Sequence, residues 1–304
     1  MTRLEDLVAA PAVTVLPGAP NALTARLIED AGFDALYVTG AGIANTFLGV
    51  PDIGLLTATE LCSHVAAIRE AVSLPMIVDA DTGFGNAVNV WRTVRALEHA
   101  GADAIQIEDQ TFPKRCGHFA DKSVIEAPEM IDKIAAACDA RRAPGCLIVA
   151  RTDARAELGL DEACRRGNLY RAAGADIVFV EAPQTVQEVE IVAREVEGPK
   201  ILNLVHGGVT PHLPMSEIAE LGYAFALFAN LALLAGIHAV RRSLTHLRDN
   251  PDDGHEPPIA SWDERQHIVR KAEFDELARR YSDGSLGRGS QAGSTDGGVR
   301  RTPQ

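Results

Sequence analysis

Ala100-Gly101-Ala102-Asp103-Ala104-Ile105-Gln106-Ile107-Glu108-Asp109 holds the fold in miniature. A helical stretch stops on Ala-Gly, where glycine takes the C-terminal position it favours. A short β-branched run follows and ends on two carboxylates. The same punctuation recurs at Ala31-Gly32, Ala173-Gly174 and, as a close variant, Leu221-Gly222. Working outward, apparent strands fall at Val13–Leu16, Ala35–Thr39, Met76–Ala80, Ala104–Glu108, Leu147–Arg151, Ile177–Glu181, Lys200–Leu204 and Ala224–Phe228. Amphipathic stretches lie between them, among them Ala22–Ala31, Val88–Ala100, Glu129–Arg141, Asp161–Ala173 and Val186–Glu197. Near-continuous apolar strands alternating with helices predict a parallel sheet covered on both faces, and eight units predict an α/β fold of the (β/α)8 TIM-barrel kind. A doubly wound open sheet is the other arrangement of such units, but it needs no eighth.

In a barrel the chemistry gathers where the strands end. Here the exits read Thr39-Gly40-Ala41-Gly42, Asp79-Ala80-Asp81-Thr82-Gly83-Phe84-Gly85, Glu108-Asp109-Gln110, Arg151-Thr152-Asp153, Glu181-Ala182-Pro183 and Asn203. One such residue is ordinarily a turn or cap; polar groups at six exits predict a site. Asp79 and Asp81, two apart, share a face of a regular strand. Converging carboxylates repel unless a cation or proton lies between them. Glu108, and Asp52 in Pro51-Asp52-Ile53-Gly54, add further oxygens. An all-oxygen set favours a hard cation, Mg²⁺ with Mn²⁺ as its substitute. The same two aspartates also read as caps of a Thr82-Gly83 turn.

Just beyond strand four stands Lys114-Arg115-Cys116-Gly117-His118. Neighbouring cations favour the thiolate, the reactive form of cysteine, and glycine allows close backbone approach. By itself the stretch reads equally as a solvated basic turn. Cys62, Cys138 and Cys164 fall in helical segments and Cys146 opens a strand, so these four read as small hydrophobes. An odd number of cysteines without a CxxC pair fits free thiols in a reducing cytoplasm. A formal net charge of −13, with no basic stripe, argues against nucleic acid and an anionic membrane surface as partners. No apolar run is long enough to span a bilayer; Phe225 to Val240 is broken by Asn230, Gly236 and His238.

Taken together, Tyr37-Val38-Thr39-Gly40, Leu48-Gly49-Val50-Pro51-Asp52-Ile53-Gly54, Asp79 to Asn86, Ile107-Glu108-Asp109-Gln110, Lys114 to His118 and Ala150-Arg151-Thr152-Asp153-Ala154 resemble the isocitrate lyase/phosphoenolpyruvate mutase superfamily. The match runs in order from about Leu16 to Gly208, and the Lys-Arg-Cys-Gly-His loop resembles its methylisocitrate and dimethylmalate lyase branch. The resemblance implies a Mg²⁺-dependent barrel acting through an enolate of a small anionic substrate, a 2-hydroxy dicarboxylate or 2-oxo acid. It implies that Asp81 holds the metal directly, with Asp52, Asp79 and Glu108 acting through water. It further implies that Arg151 pairs a substrate carboxylate and that Thr39, Gly40 and Ala41 anchor the same end, beside Tyr37. Cys116 becomes the proton donor on a closing loop, flanked by Gly117, with Lys114, Arg115 and His118 supplying positive charge. Glu181 and Asn203 complete the pocket. The resemblance also implies a homo-oligomer, a tetramer or dimer, with Ser261–Arg280 as a helix exchanged between neighbours.

Two exits depart from the family pattern. The usual Asn-x-x-Glu-Gly-Gly is Asn203-Leu204-Val205-His206-Gly207-Gly208 here, with an imidazole in place of a carboxylate. His206 therefore either helps choose the substrate or is a neutral bystander. The usual Tyr-Pro of strand eight is replaced by Phe228-Ala229-Asn230, and apolar Leu231–Leu234 follows where the methylisocitrate branch carries arginine. A third carboxylate is thus poorly served, which favours a smaller or more apolar substrate in a pocket lined by His206, Asn230 and Leu234. The expected activity is carbon–carbon cleavage of a substituted malate; a carboxyphosphonoenolpyruvate-type mutase, an oxaloacetate hydrolase and a non-catalytic barrel are the alternatives. The expected organisation is a catalytic barrel over residues 1–250, a helical extension over 251–281 and a disordered Gly/Ser/Arg-rich tail over 282–304.

Overall fold

The computed structural model describes residues 3–114, 123–142, 145–251 and 259–282. Eight strands, β1 (Thr14–Ala19), β2 (Leu36–Val38), β3 (Met76–Asp79), β4 (Ala104–Glu108), β5 (Leu147–Thr152), β6 (Ile177–Val180), β7 (Lys200–Asn203) and β8 (Phe225–Phe228), close into one barrel. Every neighbouring pair is parallel, and β1 closes on β8 with Thr14 opposite Phe225 and Pro17 opposite Phe228. The described helices are α1 (Leu4–Val8), α2 (Ala22–Asp30), α3 (Gly40–Ile43), α4 (Ala58–Ala71), α5 (Ala87–Ala100), α6 (Ala127–Ala140), α7 (Ala154–Leu158), α8 (Leu160–Ala172), α9 (Val186–Glu195), α10 (Met215–Glu220), α11 (Leu231–Asp249), α12 (Trp262–Ile268) and α13 (Lys271–Ser282). A π-helical turn, Ala44–Leu48, continues α3.

Strand side chains alternate between two cores. Leu16, Tyr37, Ile77, Val149, Phe179, Ile201, Phe225 and Leu227 pack inside the barrel, where Leu4 and Leu7 of α1 join them. Leu36, Val38, Met76, Val78, Ile105, Ile107 and Ile148 face outward against the helices. Both faces of each strand are covered, so the strands read as apolar runs rather than as alternation. Helix starts follow local chemistry: Asn21, Thr57, Asn86 and Thr185 each accept a hydrogen bond from a first-turn amide.

The eight expected strands are present: β4 has the expected bounds, and the ends of the others differ by at most three residues. The segment Ser261–Arg280 is not one helix but two, broken at Val269–Arg270, where Arg270 takes φ 57. The helical and π-helical passage Gly40–Leu48 was not signalled by periodicity, being short and built from small residues. Contacts divide the chain into units Met1–Pro257 and Pro258–Gln304. In the second unit α12 and α13 bury no residue. In the first, α11 also buries none, and Leu231, Leu234, Ile237, Val240, Leu244 and Leu247 are exposed along it. Among the described residues no helix is long and apolar enough to cross a membrane.

One glycine shows how tightly the barrel mouth is built. Gly18 on β1 backs onto the Ala229 main chain beyond β8, and a Cβ there would run into the Ala229 carbonyl oxygen. Gly32, at φ 82, has open space around it. Gly18→Ala should therefore cost about 3 kcal/mol through forced displacement of the β8 exit, and Gly32→Ala only about 1 kcal/mol for its left-handed backbone. Urea denaturation measures both; equal losses would refute the close-approach account.

Candidate active site

The β3 exit departs from a regular strand at once. β3 ends at Asp79, and Asp81, Gly83, Phe84 and Gly85 then take φ of 49, 83, 61 and 145. Asp79 and Asp81 are therefore not neighbours on one strand face, as the spacing predicts. They converge because the chain turns back on itself, with the Asp81 amide donating to Asp79 Oδ1 at 3.2 Å. Gln106 Nε2 donates to the same oxygen at 3.0 Å, and Tyr37 OH donates to Gln106 Oε1 at 2.9 Å, so β2, β3 and β4 hold Asp79 between them. Facing them is Gly40: a Cβ there would lie 3.3 Å from Asp81 Oδ1 and 3.5 Å from Asp79 Oδ2. Thr39 spends its hydroxyl on capping α3, accepting from the Gly42 amide at 3.2 Å. This leaves the Gly40 and Ala41 amides in a first helical turn, where N–H groups lack intrahelical acceptors.

Two cations enter this acidic mouth. Lys114 Nζ lies 2.5 Å from Asp52 Oδ1 and 2.8 Å from Asp81 Oδ1. Its charge is thus buried between carboxylates rather than presented to the cavity, a placement the sequence did not foretell. Arg151 sits among Glu108 (3.2 Å), Asp153 (3.0 Å) and Glu181 (3.3 Å), with its guanidinium 5.2 Å from the Phe179 ring. Asn203 Nδ2 donates to both Glu181 oxygens at 3.4 and 3.5 Å. Behind these, Asp109 is a hub: it accepts from Thr152 Oγ1 (2.7 Å), the Asp153 amide (2.9 Å), Tyr170 OH (2.8 Å) and Arg166 (3.1 Å). Arg166 also donates to the Ile125 carbonyl at 2.8 Å, and the Ile125 amide to the Asp109 carbonyl at 2.8 Å. Asp109 and Arg166 thereby tie the β5 exit to the chain that returns after residue 122.

Charge decides what this arrangement can hold. Six carboxylates, Asp52, Asp79, Asp81, Glu108, Asp153 and Glu181, surround two cations. Burial, with Asp79 and Asp52 adding to it against the pull of Lys114, pushes the Asp81 carboxyl up to about 6. Burial likewise carries Glu108 well above the carboxylate range despite Arg151, and Tyr37 well above the usual phenol. The neighbouring carboxylates hold the Lys114 ammonium and Arg151 charged against burial. Among the described residues Glu108 Oε1 is buried and accepts no hydrogen bond, and Asp81 Oδ1 is met by the Lys114 ammonium. Excess buried negative charge, orphaned oxygens and the Gly40 recess suit a hard divalent cation. Among the described residues no three His, Cys, Asp or Glu side chains form a ready-made cage, because Lys114 already bridges two of the oxygens.

The cavity beside these groups is lined by Tyr37, Thr39, Ala41, Asp52, Asp79 and Arg151 on one side and by Phe179, Asn203, Val205, Leu227, Ala229 and Asn230 on the other. Most expected site residues therefore meet at one place. His206 does not line it: the ring is exposed and packs edge-on against His212 at 5.2 Å, because Val205 takes the inward position. Leu234 is also turned outward, 44 % exposed on α11. Arg115, Cys116, Gly117 and His118 lie outside the described residues. Cys146 and Cys164 are buried, and burial pushes their thiols up to about 12 and about 11, as fits the packing role read for them; Cys62 and Cys138 are half-buried. Asp109 was read only as a strand-exit carboxylate, while Gln106, Phe179 and Tyr170 escaped sequence reasoning. Gln106 alone left a signal there, as a polar residue in the middle of an apolar strand.

This geometry has close counterparts. The family model for phosphoenolpyruvate phosphomutase matches residues 4–248. The chain is 41 % identical over 283 residues to 2,3-dimethylmalate lyase of Eubacterium barkeri, covering 93 % of this chain and 98 % of that one. It is 44 % identical over 256 residues to 2-methylisocitrate lyase of Aeropyrum pernix, covering 84 % and 81 %. The crystal structure of a 2,3-dimethylmalate lyase superposes with a TM-score of 0.87 at 30 % identity, over 96 % of this chain and all of that one. A phosphonopyruvate hydrolase complexed with oxalate and Mg²⁺ gives 0.82 at 31 %, over 91 % and 97 %. With a closed eight-stranded barrel and acidic exits of this kind, the chain belongs to the phosphoenolpyruvate mutase/isocitrate lyase superfamily.

Proposed function

We propose that the protein is a divalent-metal-dependent carbon–carbon lyase that cleaves a small 2-hydroxy dicarboxylic acid of the substituted-malate kind into a 2-oxo acid and a carboxylic acid. One observation carries the choice of substrate: the β7–β8 side of the cavity is made of Asn203, Val205, Leu227, Ala229 and Asn230, all uncharged. An alkyl-substituted carbon fits such a wall, whereas a third carboxylate would be desolvated there without a cation. The relation to 2,3-dimethylmalate lyase supports the same reading.

A divalent cation, Mg²⁺ or Mn²⁺, with Asp81, Asp52, Asp79 and Glu108 as its holders, supplies the positive charge that brings a dianion into an acidic mouth. The chain's own groups do the rest. The Gly40 and Ala41 amides orient the 2-hydroxy carboxylate end, with Tyr37 and Thr39 as the wall beside it. The 2-hydroxyl proton passes to the carboxylate of Glu108. As the C2–C3 bond breaks, the hydroxyl carbon becomes the carbonyl of the 2-oxo acid and the electron pair goes to C3, giving the enolate of the departing acid. Cys116 returns a proton to C3, with Arg115 and His118 supplying charge against the enolate, while Lys114 neutralises Asp52 and Asp81. Arg151, held by Glu108, Asp153 and Glu181, orients a carboxylate of the substrate and fixes the three acids around it. The apolar side chains exposed along α11 support assembly as a homo-oligomer.

Incubation with Mg²⁺ and 2-methyl-, 2,3-dimethyl- and unsubstituted malates should release pyruvate or glyoxylate, read with a coupled dehydrogenase. No 2-oxo acid from any malate or citrate homologue would sink the lyase reading and leave the carbon–phosphorus mutase in its place. Replacing Cys116 with serine should lower kcat by about 10²–10⁴-fold, the usual scale of a lost acid catalyst, with Mn²⁺ affinity within a few-fold of wild type. Full turnover in that variant would remove the cysteine from the chemistry. The third expectation concerns pH. Asp81 carries its charge only above about 6, so apparent Mn²⁺ affinity should fall up to tenfold per pH unit below that value. Stability should move the other way: a carboxyl raised in the folded state contributes stability below its unfolded pKa and loses it as pH rises through about 6. Asp81→Ala should abolish turnover and flatten both profiles, and pH-independent Mn²⁺ binding by the wild type would exclude Asp81 as a ligand.

A further inference from the structure

The stripe that α6 turns into the protein reads Ala127, Met130, Lys133, Ile134, Ala137 and Ala140. Five are apolar, and the sixth is a lysine only 3 % exposed. A buried ammonium is costly unless paired. Among the described residues Lys133 makes no salt bridge, and its one hydrogen bond runs from Nζ to the Thr82 carbonyl at 3.2 Å. Burial lowers its pKa, while Glu129, Asp109 and Glu108 oppose that. Nothing in the proposed reaction uses this side chain.

Its target explains why it is there. Thr82 follows Asp81 in the turn where Asp81 and Phe84 adopt left-handed backbone at φ 49 and 61, with Gly83 and Gly85 at φ 83 and 145. Such backbone persists in non-glycine residues only where the surroundings enforce it. Two side chains from outer helices grip successive carbonyls of this turn: Lys133 of α6 that of Thr82, and Thr93 of α5 that of Gly83, at 3.2 Å. The amide of Glu108 closes the other side on the Asp81 carbonyl at 2.9 Å.

We propose that Lys133 is a positioning residue: by holding the Thr82 carbonyl it keeps Asp81 in the turned conformation that faces Gly40 and Asp52, and so sets the site's affinity for a divalent cation. This rests on the reading of Asp81 as a cation-holding carboxylate. Lys133→Met keeps length and apolar character and removes the donor with its charge; Lys133→Gln removes the charge but keeps a shorter donor, so the difference between the two reads the hydrogen bond. In the metal-free proteins the amides of Gly83 and Glu108, bonded to the Ala80 and Asp81 carbonyls, report on the turn by hydrogen exchange. Both should exchange at least tenfold faster in Lys133→Met and at an intermediate rate in Lys133→Gln, with the denaturation midpoint of neither variant lowered. Mn²⁺ affinity, by calorimetry, should fall at least tenfold in Lys133→Met and less in Lys133→Gln. Unchanged exchange at these amides, or faster exchange spread over the whole barrel, would overturn the proposal. A wild-type protein that binds no Mn²⁺ would instead overturn the metal reading, and the exchange rates would still decide the role of Lys133.

Discussion

Mutual repulsion among carboxylates is the constraint on which the rest of this molecule turns. Asp52, Asp79, Asp81, Glu108, Asp153 and Glu181 gather at one end of the barrel, most of them stripped of water, and each would pay heavily to stay charged there alone. Lys114 and Arg151 offset part of that cost by standing between them rather than beside them. The remaining negative charge suits a divalent cation, and in the proposed reading that cation is what would let the acidic mouth accept an anionic substrate. On the proposed reading stability and chemistry oppose one another at Asp81, whose ionised form would hold the cation and burdens the fold.

Precision at the site comes from layers behind it. Tyr37 and Gln106 orient Asp79, and Asp109 orients Thr152 and Asp153, which flank Arg151. Arg166 and Tyr170 reach Asp109 from α8, while Lys133 and Thr93 grip the β3 exit from α6 and α5. These outer helices thus do more than cover the sheet: α5, α6 and α8 each send a polar side chain inward to a strand-end group that the barrel itself leaves short of partners. Satisfied networks of this kind hold a site rigid where a loop alone would not.

The barrel was legible in the chain because its signals are local and repeated. Apolar runs such as Ala104–Ile107, the Ala-Gly stops and the polar exits each follow from what a short segment needs. The acidic cluster was legible for the same reason, since every member but Asp52 sits at or just past the end of a strand. Other features depend on partners distant in sequence. Nothing near Lys114 shows that its ammonium lies between Asp52 and Asp81, and nothing near His206 shows that Val205 takes the inward place. The two-residue spacing of Asp79 and Asp81 suggested a shared strand face, yet the chain leaves the sheet there and reaches convergence through left-handed backbone instead.

Sequence alone determined the architecture, the end of the barrel where chemistry gathers, and the identity of the acids, because periodicity and strand-end composition are properties of short segments. Tertiary structure decided which charges neutralise which, that the β7–β8 wall of the cavity is uncharged, and that a lysine on a helix's apolar stripe serves a turn fifty-one residues away. Those outcomes are set by burial and by distances between strands that only barrel closure brings together, and both quantities come into being with the fold.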